Sequence, residues 1–187
     1  VLGTEVAPVS VVPDEYGDTL KSRLAITRNG SAMVLDENAL GGGEVSGLLR
    51  FQNNDLAEGR NLLGRLTIGV TSAMNEQHKL GLDLDGKVGG NLFTPVTFSS
   101  SNIYQATGQT SAASLSMAVA DPTQMEASDY EVRFTTPPNA TIKRMSDGLV
   151  RTYDLTNPVT VDGLTITATG AGGATAGDHF LLKPYST

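Results

Sequence analysis

The segment Gly41–Gly81 (GGGEVSGLLRFQNNDLAEGRNLLGRLTIGVTSAMNEQHKLG) reads as helix in a chain otherwise patterned for strands and turns. Its apolar residues return at seven-residue spacing. Leu49, Leu56, Leu63 and Val70 form one series, and Val45, Leu66, Ala73 and Leu80 belong to the second. Two such series line a seam of the kind that a second helix covers. No other segment of the chain has the pattern to supply that helix. The seam is therefore expected to be filled from outside these residues, with Val45, Leu49, Leu56, Leu63, Leu66 and Val70 as its packing interface.

Local signals inside the segment predict two helices. Gly43-Glu44 suits a start, with a carboxylate near the positive end of the helix dipole. Asn53-Asn54-Asp55 reads as an interruption, and Asp55 with Glu58 three residues on fits a capping box that begins a second helix at Leu56. That helix would run for about 25 residues and roughly 37 Å, at 1.5 Å per residue. His78 and Lys79 would occupy its last turn and Gly81 its left-handed close. Gly59, Gly64 and Gly69 lie inside it, and each costs about 1 kcal/mol relative to Ala. Close approach of a partner backbone would offset that cost.

The flanks read as β structure. Leu24–Thr27 and Ala32–Leu35 bracket Arg28-Asn29-Gly30-Ser31, and Asn-Gly between apolar runs marks a hairpin whose two central residues take positive φ. Val6–Val12, broken by Pro8, suits an edge strand or an extended link. Leu82–Pro95 is a turn-rich connector. Beyond it, strands are predicted at Leu115–Ala120, Tyr130–Thr135, Thr141–Met145, Val150–Leu155, Leu164–Thr169 and His179–Lys183, separated by Pro, Gly, Asn and Asp turns. The expected class is α+β: a long helical segment, read as two helices, with a flanking β-hairpin, then a small antiparallel β barrel or sandwich. The boundary falls near Pro95, giving residues 1–95 as a partial helical and hairpin domain and 96–187 as an outer β domain.

Composition narrows the chemistry. The net charge is -7 and basic residues form no cluster, which disfavours nucleic acid and anionic membrane as partners. No run approaches the roughly 20 apolar residues of a membrane span. The chain has no cysteine, which removes disulfides, thiolate metal sites and thiol nucleophiles. It begins at Val1 with neither initiator Met nor leader, and is expected to be a piece of a longer protein.

Motifs that could carry catalysis have simpler readings. Asp83-Leu84-Asp85-Gly86 opens like a calcium loop, but an EF-hand needs Gly at its sixth position and Glu at its twelfth, where Val88 and Thr94 stand. These aspartates are expected to make a turn. His78 and His179 each lack a neighbouring ligand set; a helix C-terminal cation and a strand residue are the better readings. Gly41–Gly43 and Gly170–Gly177 lack the Gly-Lys-Ser/Thr of a phosphate loop, and no Gly-x-Ser-x-Gly elbow is present. Asn29-Gly30-Ser31 and Asn139-Ala140-Thr141 match the glycosylation pattern, which turn chemistry also explains. No catalytic, metal or cofactor residue is assigned, and the chain is expected not to be an enzyme.

As a set, the motifs resemble one family. Gly42-Gly43, Leu48-Leu49, Phe51, Asp55-Leu56, Leu62–Leu66, Asn75-Glu76-Gln77-His78, the acidic turn Asp83–Gly86 and Phe93 follow the pattern of the bacterial flagellar hook-associated protein 1 family. Ala127–Val132, Thr141–Arg144, Asp162-Gly163-Leu164 and Gly177–Pro184 resemble the strands of its outer domain. The resemblance covers residues 40–187 and is looser before them. It implies a structural adaptor between flagellar hook and filament, extracellular and exported by the flagellar type III apparatus without a cleaved signal peptide. The implied partners are neighbouring copies, hook protein, other hook-associated proteins, and an export chaperone that binds a terminal region. It implies that both terminal helical regions are missing here, that they fill the seam, and that the chain is monomeric or weakly associating. Two other classes remain open at this level: a glycan-binding adhesin module in residues 96–187, and a peptidoglycan-processing fragment.

Overall fold

A computed structural model describes residues 7–185, which divide into two compact units, the first ending at Gly59 and the second beginning at Arg60. Through both runs a helix of 36 residues, made of Glu44–Arg50, a π-helical turn at Phe51–Asp55, and Leu56–Lys79. We call it α1.

The first unit holds a three-stranded antiparallel sheet in the order β1 (Val9–Pro13), β2 (Ser22–Arg28), β3 (Ser31–Val34). The predicted hairpin joins β2 to β3. Arg28 pairs with Ser31 across the turn, and both Asn29 and Gly30 have positive φ, as a two-residue type I′ turn requires. Strand β1 lies within the Pro8-containing run, although Val6 falls outside the described residues. Leu24 and Ala25 are buried, as is Leu49 of α1.

The expected break at Asn53–Asp55 is not a break. The Leu56 N–H donates to the Phe51 carbonyl, five residues back, so the hydrogen-bonded ladder continues through a widened turn. Asp55 is helical and caps nothing. The reason lies in where the polar side chains go. The Asn53 amide accepts from Ser22 N–H at 3.1 Å and donates to the Ser22 carbonyl at 2.9 Å, and it also meets the Glu37 carboxylate. Gln52 Nε2 donates to the Leu20 carbonyl at 3.3 Å. Asparagine breaks helices when its side chain competes for local backbone groups; here it is spent on β2 instead.

The second unit is built on two antiparallel sheets. One has the order β5 (Ser114–Val119), β10 (Leu164–Thr169), β9 (Val159–Val161). The other has the order β4 (Ile103–Gln105), β11 (His179–Leu182), β6 (Tyr130–Thr136), β7 (Asn139–Arg144), β8 (Val150–Asp154). All six predicted strands are present, within one or two residues at their ends. Strands β4 and β9 are additions, and both sheets are open at their edges.

Alternation fixes which side of each strand faces inward. Tyr130, Val132 and Phe134 of β6 are buried, as are Leu164 and Ile166 of β10. Phe134 and Phe180 meet edge to face at 6.2 Å between ring centres. The β9–β10 turn is Asp162-Gly163, both at positive φ, and a side chain at Gly163 would run into the Asp121 carbonyl. Asp162 also accepts from Tyr130 OH at 3.0 Å and Arg144 Nη1 at 3.1 Å. Arg144 grips Asp147 with two further hydrogen bonds, which pull the Asp147 carboxyl down to about 2. Burial, reinforced by the Asp162 carboxylate, pushes the Tyr130 hydroxyl well above its usual range.

Candidate assembly surface

Within the second unit, α1 turns a modest face to its own chain and a rich apolar face outward. The inward positions are Asn61, Gly64, Ile68 and Asn75, at spacings of three, four and seven residues. Ile68 joins the β-domain core. A Cβ on Gly64 would lie 2.6 Å from both Cβ and Cδ1 of Tyr185, so only glycine admits that ring. Burial pushes the Tyr185 hydroxyl up to about 12; it stays protonated and donates to the Glu126 carbonyl at 2.7 Å. Beside it, Arg65 and Glu126 form an exposed ion pair at 3.8 Å. Gly64→Ala is expected to destabilise the chain by about 1–3 kcal/mol, the usual cost of overpacking, measured by urea unfolding.

Most residues of the predicted seam are exposed, Leu63, Leu66 and Val70 in the second unit and Val45 and Leu56 in the first. Leu63 is 66% and Leu66 62% exposed, and Val70, Leu56 and Val45 are exposed as well. Leu48, Phe51, Leu62 and Met74, which the seven-residue series did not include, are also exposed. Leu49 departs from the expected set: at 7% exposure it is buried in the first unit. The π turn lies between Leu49 and Leu56 and holds an extra residue. Seven positions therefore no longer bring the chain back to the same face, and the neighbouring Leu48 is the one left outside. Of the helix glycines, only Gly64 is closely approached; a Cβ at Gly59 or Gly69 would meet nothing within 4 Å.

The C-terminal end of α1 is anchored by Asn75 and His78. Asn75 Nδ2 donates to the Phe93 carbonyl at 2.8 Å, and its Oδ1 accepts from the Phe93 N–H at 2.7 Å. His78 Nδ1 lies 2.8 Å from the Gly90 carbonyl oxygen. At Gly89 a Cβ would fall 2.2 Å from the His78 carbonyl oxygen, so the returning chain needs glycine there. The Asn-x-x-His spacing thus pins the connector Gly89–Phe93 back along the last turns of the helix.

Among the described residues no three His, Cys, Asp or Glu side chains gather where a metal could be held, and no helix is long and apolar enough to cross a membrane.

Comparison with known proteins accounts for both parts of the chain. Residues 1–93 match the family model described as the flagellar hook-associated protein FlgK helical domain, and residues 103–184 match flagellar hook-associated protein 1, D2-like domain. The whole chain is 32% identical to flagellar hook-associated protein 1 of Salmonella typhimurium and 27% identical to that of Escherichia coli K12, in each case over 33% of the relative's length. It therefore spans about a third of the relatives it matches. The flagellar hook junction protein FlgK from Burkholderia pseudomallei superposes with a TM-score of 0.81 at 25% identity, over 99% of this chain and 34% of that one. In both its parts and over its full length, the chain belongs to the flagellar hook-associated protein 1 family.

Proposed function

We propose that this chain is a structural part of a subunit that joins the flagellar hook to the filament, and that it performs no catalysis. The observation that carries this reading is the outward apolar face of α1. Leucines at 62% and 66% exposure on a long helix are left for another helix to cover. The family membership supports the same reading, because relatives about three times as long carry more polypeptide to supply that cover. Residues 1–93 match a helical domain, yet among their described residues α1 is the single α-helix. The remaining helices of that domain come from the rest of the polypeptide.

In this reading Val45, Leu56, Leu63, Leu66 and Val70, extended by Leu48, are the packing interface. Leu49 supports it from behind. The domain boundary lies near Pro95, and residues 96–187 form an outward spacer. The two family models, which end at 93 and begin at 103, support that division. The partners are neighbouring copies, hook protein and other hook-associated proteins, met outside the cell after export through the flagellar apparatus.

The test is complementation. In a flagellated strain lacking its own hook-associated protein 1, the full-length protein is expected to restore swimming and to label with antibody at the hook–filament boundary. The Leu63→Asp form is expected to leave hooks without filaments. Label spread along the filament, or absent from flagella that nonetheless assemble, would refute the assignment.

A further inference from the structure

The connector between helix and β domain is more than a link. It forms a short hairpin finger: Leu82 and Val88 pair as an antiparallel bridge, and the Gly89 N–H donates to the Gly81 carbonyl at 3.0 Å. Asp83 closes its tip, accepting from the Asp85 and Lys87 N–H groups at 2.9 and 2.8 Å, while the Lys87 carbonyl accepts from the Asp83 N–H. Asn75 and His78 tie the returning strand to α1. The backbone is therefore hydrogen-bonded along both arms and at the tip, yet several of its side chains are apolar and open. Leu84 at the tip is fully exposed, and Leu80, Leu82 and Val88 are each exposed by 70% or more. Rigid, hydrogen-bonded backbone presenting leucines to solvent is the form of a docking element rather than a loose tether.

We propose that this finger is a second docking element of the helical domain, whose leucines are covered by the same polypeptide's remaining helical part. The inference rests on the seam reading above and adds a site to it. The family's helical-domain model runs to residue 93 and so takes in the finger, and the relatives carry two thirds of their length beyond the matched portion. Val70 and Met74 on the last turns of α1 are exposed as well, so a helix lying on the seam would have further apolar surface to meet near the finger.

The chain has no cysteine, which makes single-thiol labelling direct. In full-length protein otherwise free of cysteine, Leu84→Cys and Leu63→Cys are compared with Gly172→Cys, a site where a Cβ meets nothing within 4 Å. In dilute monomer, maleimide is expected to modify Leu84→Cys at least ~10-fold more slowly than Gly172→Cys, because a buried thiol is inert. Equal rates at 84 and 172 overturn the proposal. Protection that appears only at concentrations where the protein associates also overturns it, since a second copy would then be the cover. Slow reaction at 63 with fast reaction at 84 removes the finger and leaves the seam; fast reaction at both removes both. Slow reaction at 84 with fast reaction at 63 keeps the finger covered and removes the helix seam.

Discussion

Leu63→Asp is expected to lower the stability of the full-length protein by several kcal/mol and to leave residues 1–187 by themselves almost unchanged. In this chain Leu63 projects into solvent, and exposed substitutions away from special features move stability by no more than about 0.5 kcal/mol. In the full-length protein the same side chain would lie between helices. Burying a leucine contributes about 1.5–3 kcal/mol, and placing a carboxylate there adds a desolvation cost of several kcal/mol. Against a total of about 5–15 kcal/mol for a typical domain, that change removes a large fraction of the stability. The same argument requires the full-length protein to melt above residues 1–187, and Leu63→Asp to shrink that gain. Paired urea titrations of the two lengths, with and without the substitution, check both statements. Equal stability at both lengths, unaffected by Leu63→Asp, would mean that nothing covers the seam.

Phe134→Ala is expected to be damaging in both lengths alike. Phe134 is fully buried on β6, with Phe180 of β11 edge-on to it. Removing a buried phenyl ring costs about 3–5 kcal/mol, part of it from the cavity that remains. Aromatic edge-to-face contact adds about 0.5–1.5 kcal/mol that would be lost with it. Loss of near-ultraviolet circular dichroism at a lower urea concentration measures the effect. Because β6 and β11 lie within the second unit, the loss should be independent of whatever covers α1. Seen together, the two substitutions separate a core that this chain completes by itself from a surface that it does not.

How much of this was legible in the sequence depended on the range over which each signal acts. Local turn chemistry read well. Asn29-Gly30 gave the β2–β3 hairpin at its register, because the positive φ values it needs belong to those residues. The strands β5, β6, β7, β8, β10 and β11 were visible from alternation and their flanking turns. Strands β4 and β9 have three residues each, too few for alternation to register.

Long-range effects read poorly. Asn53-Asn54-Asp55 looked like a helix stop because sequence shows polar side chains but not where they bond. Ser22, 31 residues away, decided that they join a π turn instead. That one turn also reassigned Leu49 from the seam to the interior. Asn75 stood out only as part of a family pattern, and His78 only there and as a helix-terminal cation, since their partners Phe93 and Gly90 lie in a connector with no periodicity of its own. Leu56, Leu63 and Leu66 were legible as exposed helix positions from spacings of three and seven, whereas Leu48 and Leu62, equally exposed, fell outside the seven-residue series.

The most direct measurement of the central claim is a reconstruction by electron cryo-microscopy of the hook–filament junction from flagella built with the full-length protein. The expected density places this chain in the junction, with helices of the same polypeptide packed along Leu56, Leu63, Leu66 and Val70 and residues 96–187 projecting outward. A junction in which those side chains face solvent, or one that lacks this chain, would contradict the account.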